Sequence, residues 1–476
     1  MNDFTVLYSD IEKAKSTIEK VFHQSADLCI YTYDTIKGKA LVAFIDGMVS
    51  RDLTDRDIIA PLLSPQFSGD LLRLHATTAE ADAATVTSEI ASGKTFVMLE
   101  DNSVSVLCDI KHVEKRAVSE PEAELVLRGP REGFTENLRT NTSLMRRKIA
   151  SPNLVFENVV IGRQTRTNIT IAYVDGVVNR DVLAEVRKRL SQIETDAILE
   201  SGQLEQHLEK NRFAPVSGIG MTQKPDIAAQ RILEGRVAIL CDGTPHVLTI
   251  PELFLENLYA SEDYYNRTIY TIMQRFLRIA GVFISVLFPG LMLAVVTFSP
   301  EMMPPIFLAT VIAATHQSSL PLGAELFFLM LMFELLKESG TRLPRTIGTA
   351  VSIVGALIIG DAAVSAGIVS APSVIIVALT AVCSFIVSSL TSFCTFYRWL
   401  LLFLGGCAGL LGIAAGLFIL LTQLSGMHSF GVPILANMRK GDYADFLVRA
   451  PIDDMRTRPS AIAEDNRFRT KKTRAK

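Results

Sequence analysis

The C-terminal half of the chain contains an apolar block, residues 279–424, that carries almost no charge. Segments 279–298, 371–396 and 399–424 each offer the ~20 apolar residues that are needed to cross a bilayer. A water-soluble core of this length would interleave polar residues at the period of a helix or a strand, and this block does not. We therefore predict an integral membrane protein with a long water-soluble region ahead of its spans.

The region ahead of the block, residues 1–270, has the composition of an ordinary charged globular protein. The net charge of −3 predicts no nucleic-acid partner, since such a protein would carry a basic surface. The N-terminus lacks the basic and apolar stretches of a signal peptide. Arg267, Arg275 and Arg278 precede the first span, which predicts a cytoplasmic N-terminal side with these cations at the membrane surface.

An internal repeat runs through the water-soluble region. Residues 43–52 match residues 172–181, and the pair 90–99 and 232–240 follows in the same order. The fold class predicted is therefore two tandem, related α/β domains followed by an α-helical transmembrane bundle. The predicted boundaries are 1–126 for the first α/β domain, 127–154 for a basic linker and helix, 155–265 for the second α/β domain, 266–426 for the transmembrane domain and 427–476 for a cytoplasmic C-terminal tail.

Three Asp-Gly pairs, at 46–47, 175–176 and 242–243, invite comparison with metal or phosphate ligands. Turns are the more frequent use of such pairs, because glycine accepts a positive φ and aspartate bonds the local backbone. We predict turns at all three.

The predicted linker contains a helix over 135–149, with Thr135 as its cap. Four cations make this helix basic, and they are Arg139, Arg146, Arg147 and Lys148. Two interpretations remain open, a solvated helix face or a docking surface for an acidic partner or an anionic lipid.

The number of crossings depends on the middle of the apolar block. Prolines at 300, 304 and 305 leave 306–318 too short to cross, which predicts a re-entrant or broken helix. Residues 347–369 are weakly apolar, and a tight turn is predicted at Tyr397–Arg398 between the last two spans. Five crossings would place the basic tail outside and four would place it inside. Because translocation of a basic tail is disfavoured, we predict an even count.

Ionisable residues inside the block are the candidate site residues, and they are Glu325, Glu334, Asp361 and His316. An acid at mid-bilayer costs about 2.5–3.5 kcal/mol, and such residues usually mark an ion or substrate path. Alternatives are a pairing of Glu334 with Lys337, a helix-terminal position for Glu325 and an interfacial position for Asp361. We predict a polar ion path enclosed by an oligomer.

Small residues recur in the last span, and Gly405, Gly409, Gly412 and Gly416 predict close helix packing, with a gating hinge as the alternative. The six cysteines show no metal-binding spacing, and no nucleotide-binding or hydrolase motif is present. The sequence therefore predicts neither an enzyme nor a cofactor.

A set of residues around the basic helix resembles a signature of the A subunit of spore germinant receptors, the GerA family. The residues that carry it are Arg128, Gly129, Pro130, Phe134, Glu136, Asn141, Leu144 and Arg146. Further matches in the expected order are Asp263, Arg267, Glu334, Glu338, Arg342 and the Ser429–Gly431 tripeptide. The resemblance covers residues 30–455, and the paralogous stage V sporulation protein shares most of the pattern.

The resemblance implies a multi-pass protein of the bacterial spore inner membrane with cytoplasmic N-terminal domains. It implies two partners, a polytopic B subunit and a lipoprotein C subunit, and an A subunit that forms an oligomeric, ligand-gated cation channel component and triggers germination. The family motif residues would then serve assembly or docking. The alternatives are a secondary transporter of a small solute or a non-conducting membrane scaffold for germination proteins.

Overall fold

The structure is a computed structural model of the 476-residue chain. It describes residues 11–36, 38–64, 76–78, 83–100, 105–111, 124, 128–211, 214–342, 360–436, 449–463, 466 and 468–469. Most of the weakly apolar segment 347–369 and nearly all of the terminal cations after 466 therefore lie outside the described residues.

The first α/β domain is built on an antiparallel five-stranded sheet with strand order β1-β2-β4-β5-β3. Helix α1 buries Ile11, Ala14 and Ile18 against this sheet, because their spacing places them on one helix face. The strands are Leu28–Thr35 (β1), Gly38–Ile45 (β2), Ala76–Thr78 (β3), Thr95–Leu99 (β4) and Ser105–Cys108 (β5). The helices are Ile11–Val21 (α1), 51–63 (α2, which includes a π-helical turn) and Ala83–Ala91 (α3).

The second α/β domain repeats this topology, with strand order β6-β7-β9-β10-β8. All five residues of β9 are buried, since helices cover both faces of the sheet there. The strands are Leu154–Ile161 (β6), Thr167–Val174 (β7), Gly220–Thr222 (β8), Val237–Cys241 (β9) and Val247–Ile250 (β10). The helices are Leu138–Lys148 (α4), Arg180–Ser191 (α5), Ser201–Leu208 (α6) and Pro225–Leu233 (α7).

The matching strand order is what the internal repeat predicts. The turn prediction for the Asp-Gly pairs is confirmed, because Gly47, Gly176 and Gly243 lie in turns with φ of 82°, 77° and 87°. The short edge strands β3 and β8 escaped sequence analysis, since three residues carry too little pattern to recognise.

The described residues of the predicted linker and helix, 128–154, pack on the second α/β domain. Leu144 and Met145 of α4 are buried in the core of that domain. The predicted cap was wrong. Asn137 caps α4, and its side chain accepts hydrogen bonds from the backbone N–H groups of Arg139 and Thr140. Asparagine and threonine are both favoured at this position, so sequence alone could not separate them.

Five labelled helices form the C-terminal region, and they are Thr268–Phe298 (α8), Pro305–His316 (α9), Leu322–Arg342 (α10), Ala371–Ile386 (α11) and Thr391–Gly426 (α12). Of the helices within the described ranges, α8 and α12 are long and apolar enough to cross a membrane by length and composition, with α12 counted as one helix across an internal break at Gly409. Helices α9 and α11 are apolar but shorter. The described part of the chain thus has an α/β region followed by apolar helices.

The chain reverses direction inside α12, at Gly409, which has φ 60° and ψ −139°. Tyr397 Oη donates a hydrogen bond to Gln423 Oε1 at 2.6 Å. In a straight helix residues this far apart in sequence would be separated by about 39 Å. Helix α12 therefore consists of two antiparallel arms, 391–408 and 410–426, each about 26 Å long.

The predicted turn at Tyr397–Arg398 and the predicted span 371–396 were both wrong. Helix α11 ends at Ile386, a 3₁₀ turn follows at Ser388–Leu390, and Tyr397 and Arg398 are buried within the first arm of α12. An arginine in an apolar run suggested a loop at the membrane surface, but its charge is neutralised inside the protein.

The first arm of α12 runs parallel to α8. Arg398 Nε donates to the carbonyl oxygen of Ser285 at 2.8 Å, Gly405 lies against Gly290, and Gly409 lies against Phe298. The second arm returns to a hairpin, His428–Ser429 (β11) and Val432–Pro433 (β12).

The described part of the C-terminal tail packs on the second α/β domain. Ser429 Oγ donates to the carbonyl oxygen of Gly218, and Asn179 Nδ2 donates to that of Ile462 at 2.9 Å. The tail and the α/β domains therefore lie on the same side of the helical region.

Candidate functional site

The structure divides the predicted ion-path residues into two groups. Glu325 and Glu334 lie inside the helical region and have hydrogen-bond partners. His316, at the end of α9, and Asp361, in a short helical segment at 360–365, are exposed. The four residues are therefore not brought together at a single site.

Glu334 belongs to a buried ion pair. Its Oε1 lies 3.2 Å from Arg398 Nη1, and its Oε2 lies 3.5 Å from Lys337 Nζ. Arg398 is 1% exposed, and its guanidinium also bonds the backbone of Ser285. The Lys337 pairing was one of the alternatives considered from the sequence. Arg398 was missed as a partner because it lies on a different helix, 64 residues later.

Glu325 is completely buried at the first turn of α10. Its Oε2 accepts hydrogen bonds from Ser370 Oγ at 2.6 Å and from Ser373 Oγ at 2.5 Å. The helix-terminal position matches one alternative from the sequence. The two serines were missed because they are ordinary small residues at the start of α11, far along the chain.

The repeated glycines lie where backbones approach most closely. A Cβ at Gly405 would lie 2.7 Å from the carbonyl oxygen of Gly290, and a Cβ at Gly409 would lie 2.9 Å from Phe298 Cβ. Gly412 and Gly416 face Leu404 and Leu401 across the two arms of α12. Glycine is needed at Gly409 in particular, because a positive φ with this ψ is closed to residues that have a side chain.

An ion cluster joins the second α/β domain to the start of α8. Asp263 is fully buried, 3.1 Å from Arg275 Nε and 2.8 Å from Arg278 Nη1. Arg449 of the tail donates to the carbonyl oxygen of Asn266 at 2.8 Å. Arg275 and Arg278 thus both point inward to the carboxylate of Asp263, which sequence analysis had named only as a match to the family pattern.

A second ion cluster joins the two α/β domains. Arg146 is completely buried, and its Nε and Nη2 lie 3.0 and 2.8 Å from the carboxylate oxygens of Asp27. Arg139 pairs with Asp46, and the remaining two cations of α4 both pair with Glu132. All four cations thus have an acidic partner within the chain, which leaves little free charge for a basic docking surface.

Other residues of the family motif occupy varied positions. Phe134 lies in the core of the second domain, and Asn141 hydrogen-bonds the backbone N–H and carbonyl of Thr135. Gly129, with φ 139°, lies against the ring of Tyr265. Arg128 and Glu136 are exposed and Pro130 is half-buried.

A cavity of about 800 Å³ lies between the second α/β domain and the base of the helices. Five of the residues that line it are acidic, and they are Glu124, Glu205, Glu252, Glu256 and Glu262. Burial raises the pKa of Glu252 to about 7, although Arg231 lies beside it. Sequence analysis missed this cavity because its lining comes from segments spread over residues 124–393.

Glu205, which lines this cavity, gives a pH-dependent prediction. Ser217 Oγ lies 2.6 Å from Glu205 Oε1 and 2.5 Å from Glu209 Oε1, but one hydroxyl can donate only one hydrogen. Burial, with the nearby Glu209 and Glu200, raises the pKa of Glu205. Ionisation of Glu205 therefore costs more free energy in the folded state than in the unfolded state. The free energy of unfolding falls as the pH rises from the ordinary glutamate pKa to the raised value. We expect Glu205→Gln to stabilise the protein by roughly 1 kcal/mol at pH 8 and to have little effect at pH 4.

Thermal unfolding of the full-length protein in detergent at both pH values measures this difference. Glu194→Gln is the matched control, because the Glu194 side chain is 85% exposed. A Glu205→Gln effect of equal size at the two pH values would contradict the interpretation that Glu205 and Glu209 compete for the single hydroxyl hydrogen of Ser217.

Comparison with known proteins assigns the chain to a family. The family model described as Bacillus/Clostridium GerA spore germination protein matches residues 16–461. Spore germination protein KA of Bacillus subtilis is 36% identical over 90% of this chain and 81% of its own length. Spore germination protein B1 of the same organism is 31% identical over 96% of this chain and 98% of its own length.

Two further proteins are similar to this chain. The membrane protein YfkQ of Bacillus subtilis is 35% identical over 89% of this chain and 86% of its own length. The crystal structure of the N-terminal domain of the A subunit of the Bacillus megaterium germinant receptor GerK3 aligns with a TM-score of 0.40 and 28% identity, over 53% of this chain and 99% of that one. From the family match over nearly its whole length, the chain belongs to the GerA family of spore germination proteins.

Proposed function

We propose that this chain is the A subunit of a spore germinant receptor and forms the cation-conducting part of that receptor as a homo-oligomer. It would lie in the spore inner membrane with its α/β domains in the cytoplasm, and it would work with a polytopic B subunit and a lipoprotein C subunit. The observation that carries the proposal is the retention of charged side chains among the apolar helices, where Glu325, Glu334 and Arg398 are buried or half-buried. Ionisable residues inside a membrane are costly and usually mark a path for ions.

The junction between domain and helices supports gating from the α/β side. Asp263 holds both Arg275 and Arg278, so α8 is fixed to the second domain by charge-assisted hydrogen bonds. Helix α8 in turn packs along the first arm of α12, which carries Arg398. A movement of the second domain would therefore reach the Glu334–Arg398 pair through one continuous contact path.

The break in α12 argues against a solute transporter. Secondary transporters bind their solute at discontinuous helices near the middle of the bilayer. Gly409 instead lies beside Phe298, the last residue of α8. The phenylalanine side chain already fills the space that a Cβ at residue 409 would occupy. The break thus forms the closed tip of a hairpin at the end of the helices.

Reconstitution tests the proposed function. The A, B and C subunits would be placed together in planar bilayers, and current would be recorded before and after addition of a nutrient mixture. A nutrient-dependent ohmic current carried by monovalent cations is expected. Saturable uptake of a solute without such a current, or neither activity, would refute the conducting role.

Glu334→Gln is expected to slow nutrient-triggered potassium release from spores about tenfold, which corresponds to ~1.4 kcal/mol. Glutamine keeps the side-chain shape and a hydrogen-bond acceptor but removes the charge opposite Arg398. Immunoblotting of spore membranes should show normal A-subunit levels, and Glu301→Gln, which changes an exposed acid, is the control. Release at the normal rate from Glu334→Gln spores would count against a role for this pair.

A further inference from the structure

Glu325 has one carboxylate oxygen without a partner. Both serine hydroxyls reach Oε2, whereas no donor among the described residues reaches Oε1, although the residue has no exposed surface. Unlike Glu334, Glu325 forms no ion pair with a cation in the part of the chain that the structure describes. A fully buried acid in this state needs a chemical explanation, because buried charge is normally paired.

Ser370 is diverted from its usual role. It occupies the cap position of α11, yet its side chain makes no hydrogen bond to the N–H groups of that helix. The hydroxyl donates to Glu325 instead, and it lies 3.0 Å from the hydroxyl of Ser373. Each hydroxyl has one hydrogen and two lone pairs, so both serines keep lone pairs for another ligand after donating.

A proton alone does not satisfy this arrangement. A hydrogen on Oε1 would itself need an acceptor, and none is present among the described neighbours, whereas a hydrogen on Oε2 would have a serine acceptor but would still leave Oε1 without a donor. An ionised Glu325 leaves Oε1 bare and its charge unpaired. A cation beside Oε1 would satisfy the oxygen and balance the charge at the same time, and carboxylate and hydroxyl oxygens suit hard metal ions.

We propose that Glu325, Ser370 and Ser373 form a binding site for one dehydrated monovalent alkali cation. One carboxylate supplies one negative charge, so a divalent ion would leave an uncompensated positive charge among apolar helices. The start of α11 at Ser370 adds the partial positive charge of a helix N-terminus, which opposes any cation in proportion to its charge and so opposes a divalent ion about twice as strongly as a monovalent one. This site does not depend on the proposed channel function, since a cation can bind there whether or not the chain conducts ions.

Cation-dependent thermal unfolding of the purified full-length protein in detergent tests the site. Potassium, sodium or lithium chloride would replace N-methylglucamine chloride at constant ionic strength and pH 8. The unfolding midpoint of the unchanged protein is expected to rise and saturate with at least one of these ions, and magnesium at the same ionic strength should have no such effect. Retention of radioactive rubidium in equilibrium dialysis provides a direct measure of occupancy.

The variants decide where the cation binds. Glu325→Gln should abolish the saturable response, and Ser370→Ala combined with Ser373→Ala should weaken the apparent affinity about tenfold. Glu301→Gln, the same change at an exposed glutamate, is the control and should leave the response intact. If Glu325→Gln does not yield folded protein, the serine double variant decides alone, because it keeps the charge. No saturable response in the unchanged protein, or an equal response in the serine double variant, overturns the proposal, whatever the outcome of the conductance experiment.

Discussion

Asp263→Asn is expected to lower the free energy of unfolding of the full-length protein by about 3 kcal/mol or more. Asparagine keeps the shape of the side chain but removes the carboxylate that pairs with both Arg275 and Arg278. Both guanidinium groups would then be left at the junction without that charge, and Arg275 is only 1% exposed. Thermal unfolding of the purified protein in detergent measures the loss.

Asp109→Asn is the matched control for this substitution, because it makes the same chemical change at an exposed position of the first domain. It should change the unfolding midpoint little. If Asp263→Asn behaved like the control, the cluster would not hold α8 to the second domain, and the proposed path from domain to helices would lose its first step.

Gly412→Ala is expected to destabilise the helical region by about 3 kcal/mol. The added Cβ would overlap the carbonyl oxygen of Leu404 and would lie 2.6 Å from its carbonyl carbon. Both atoms are backbone in the opposite arm of α12, so no side-chain rotation can relieve the contact, and the arms must separate. Loss of thermal stability in detergent and loss of nutrient-triggered potassium release should occur together.

Gly426→Ala, at the last residue of α12, tests the same amino-acid change where no atom lies within 4 Å of the new Cβ. The control should retain the stability and the potassium release of the unchanged protein. Equal effects of the two substitutions would show that the arms of α12 are not in close contact at Gly412.

The features that sequence analysis predicted depend on residues that are close together in the chain. The repeat and the Asp-Gly turns are local patterns, so the two matching sheets and their turns could be anticipated. The apolar block also stands out in composition alone. The GerA resemblance rested on spaced motifs that the family match now supports.

What could not be predicted depends on pairs that only the fold brings together. Arg398 looked like a membrane-surface residue because its partner Glu334 lies on another helix. Arg275 and Arg278 were interpreted only as cations that precede the first span, because their pairing with Asp263 appears only in the folded chain. The predicted span 399–424 was wrong as a single helix, because the reversal at Gly409, with φ 60° and ψ −139°, needs only one residue and leaves the apolar pattern unbroken.

The tail that follows α12 has a consequence for biogenesis. Phe430, Val432, Ala461 and Ile462 are buried in the same core as the second sheet, so residues made after the helices complete a domain that began before them. During synthesis the first domain can fold as soon as it leaves the ribosome. The core of the second cannot be completed until the whole helical region has been synthesised, so the folding of this domain is coupled to that of the helices.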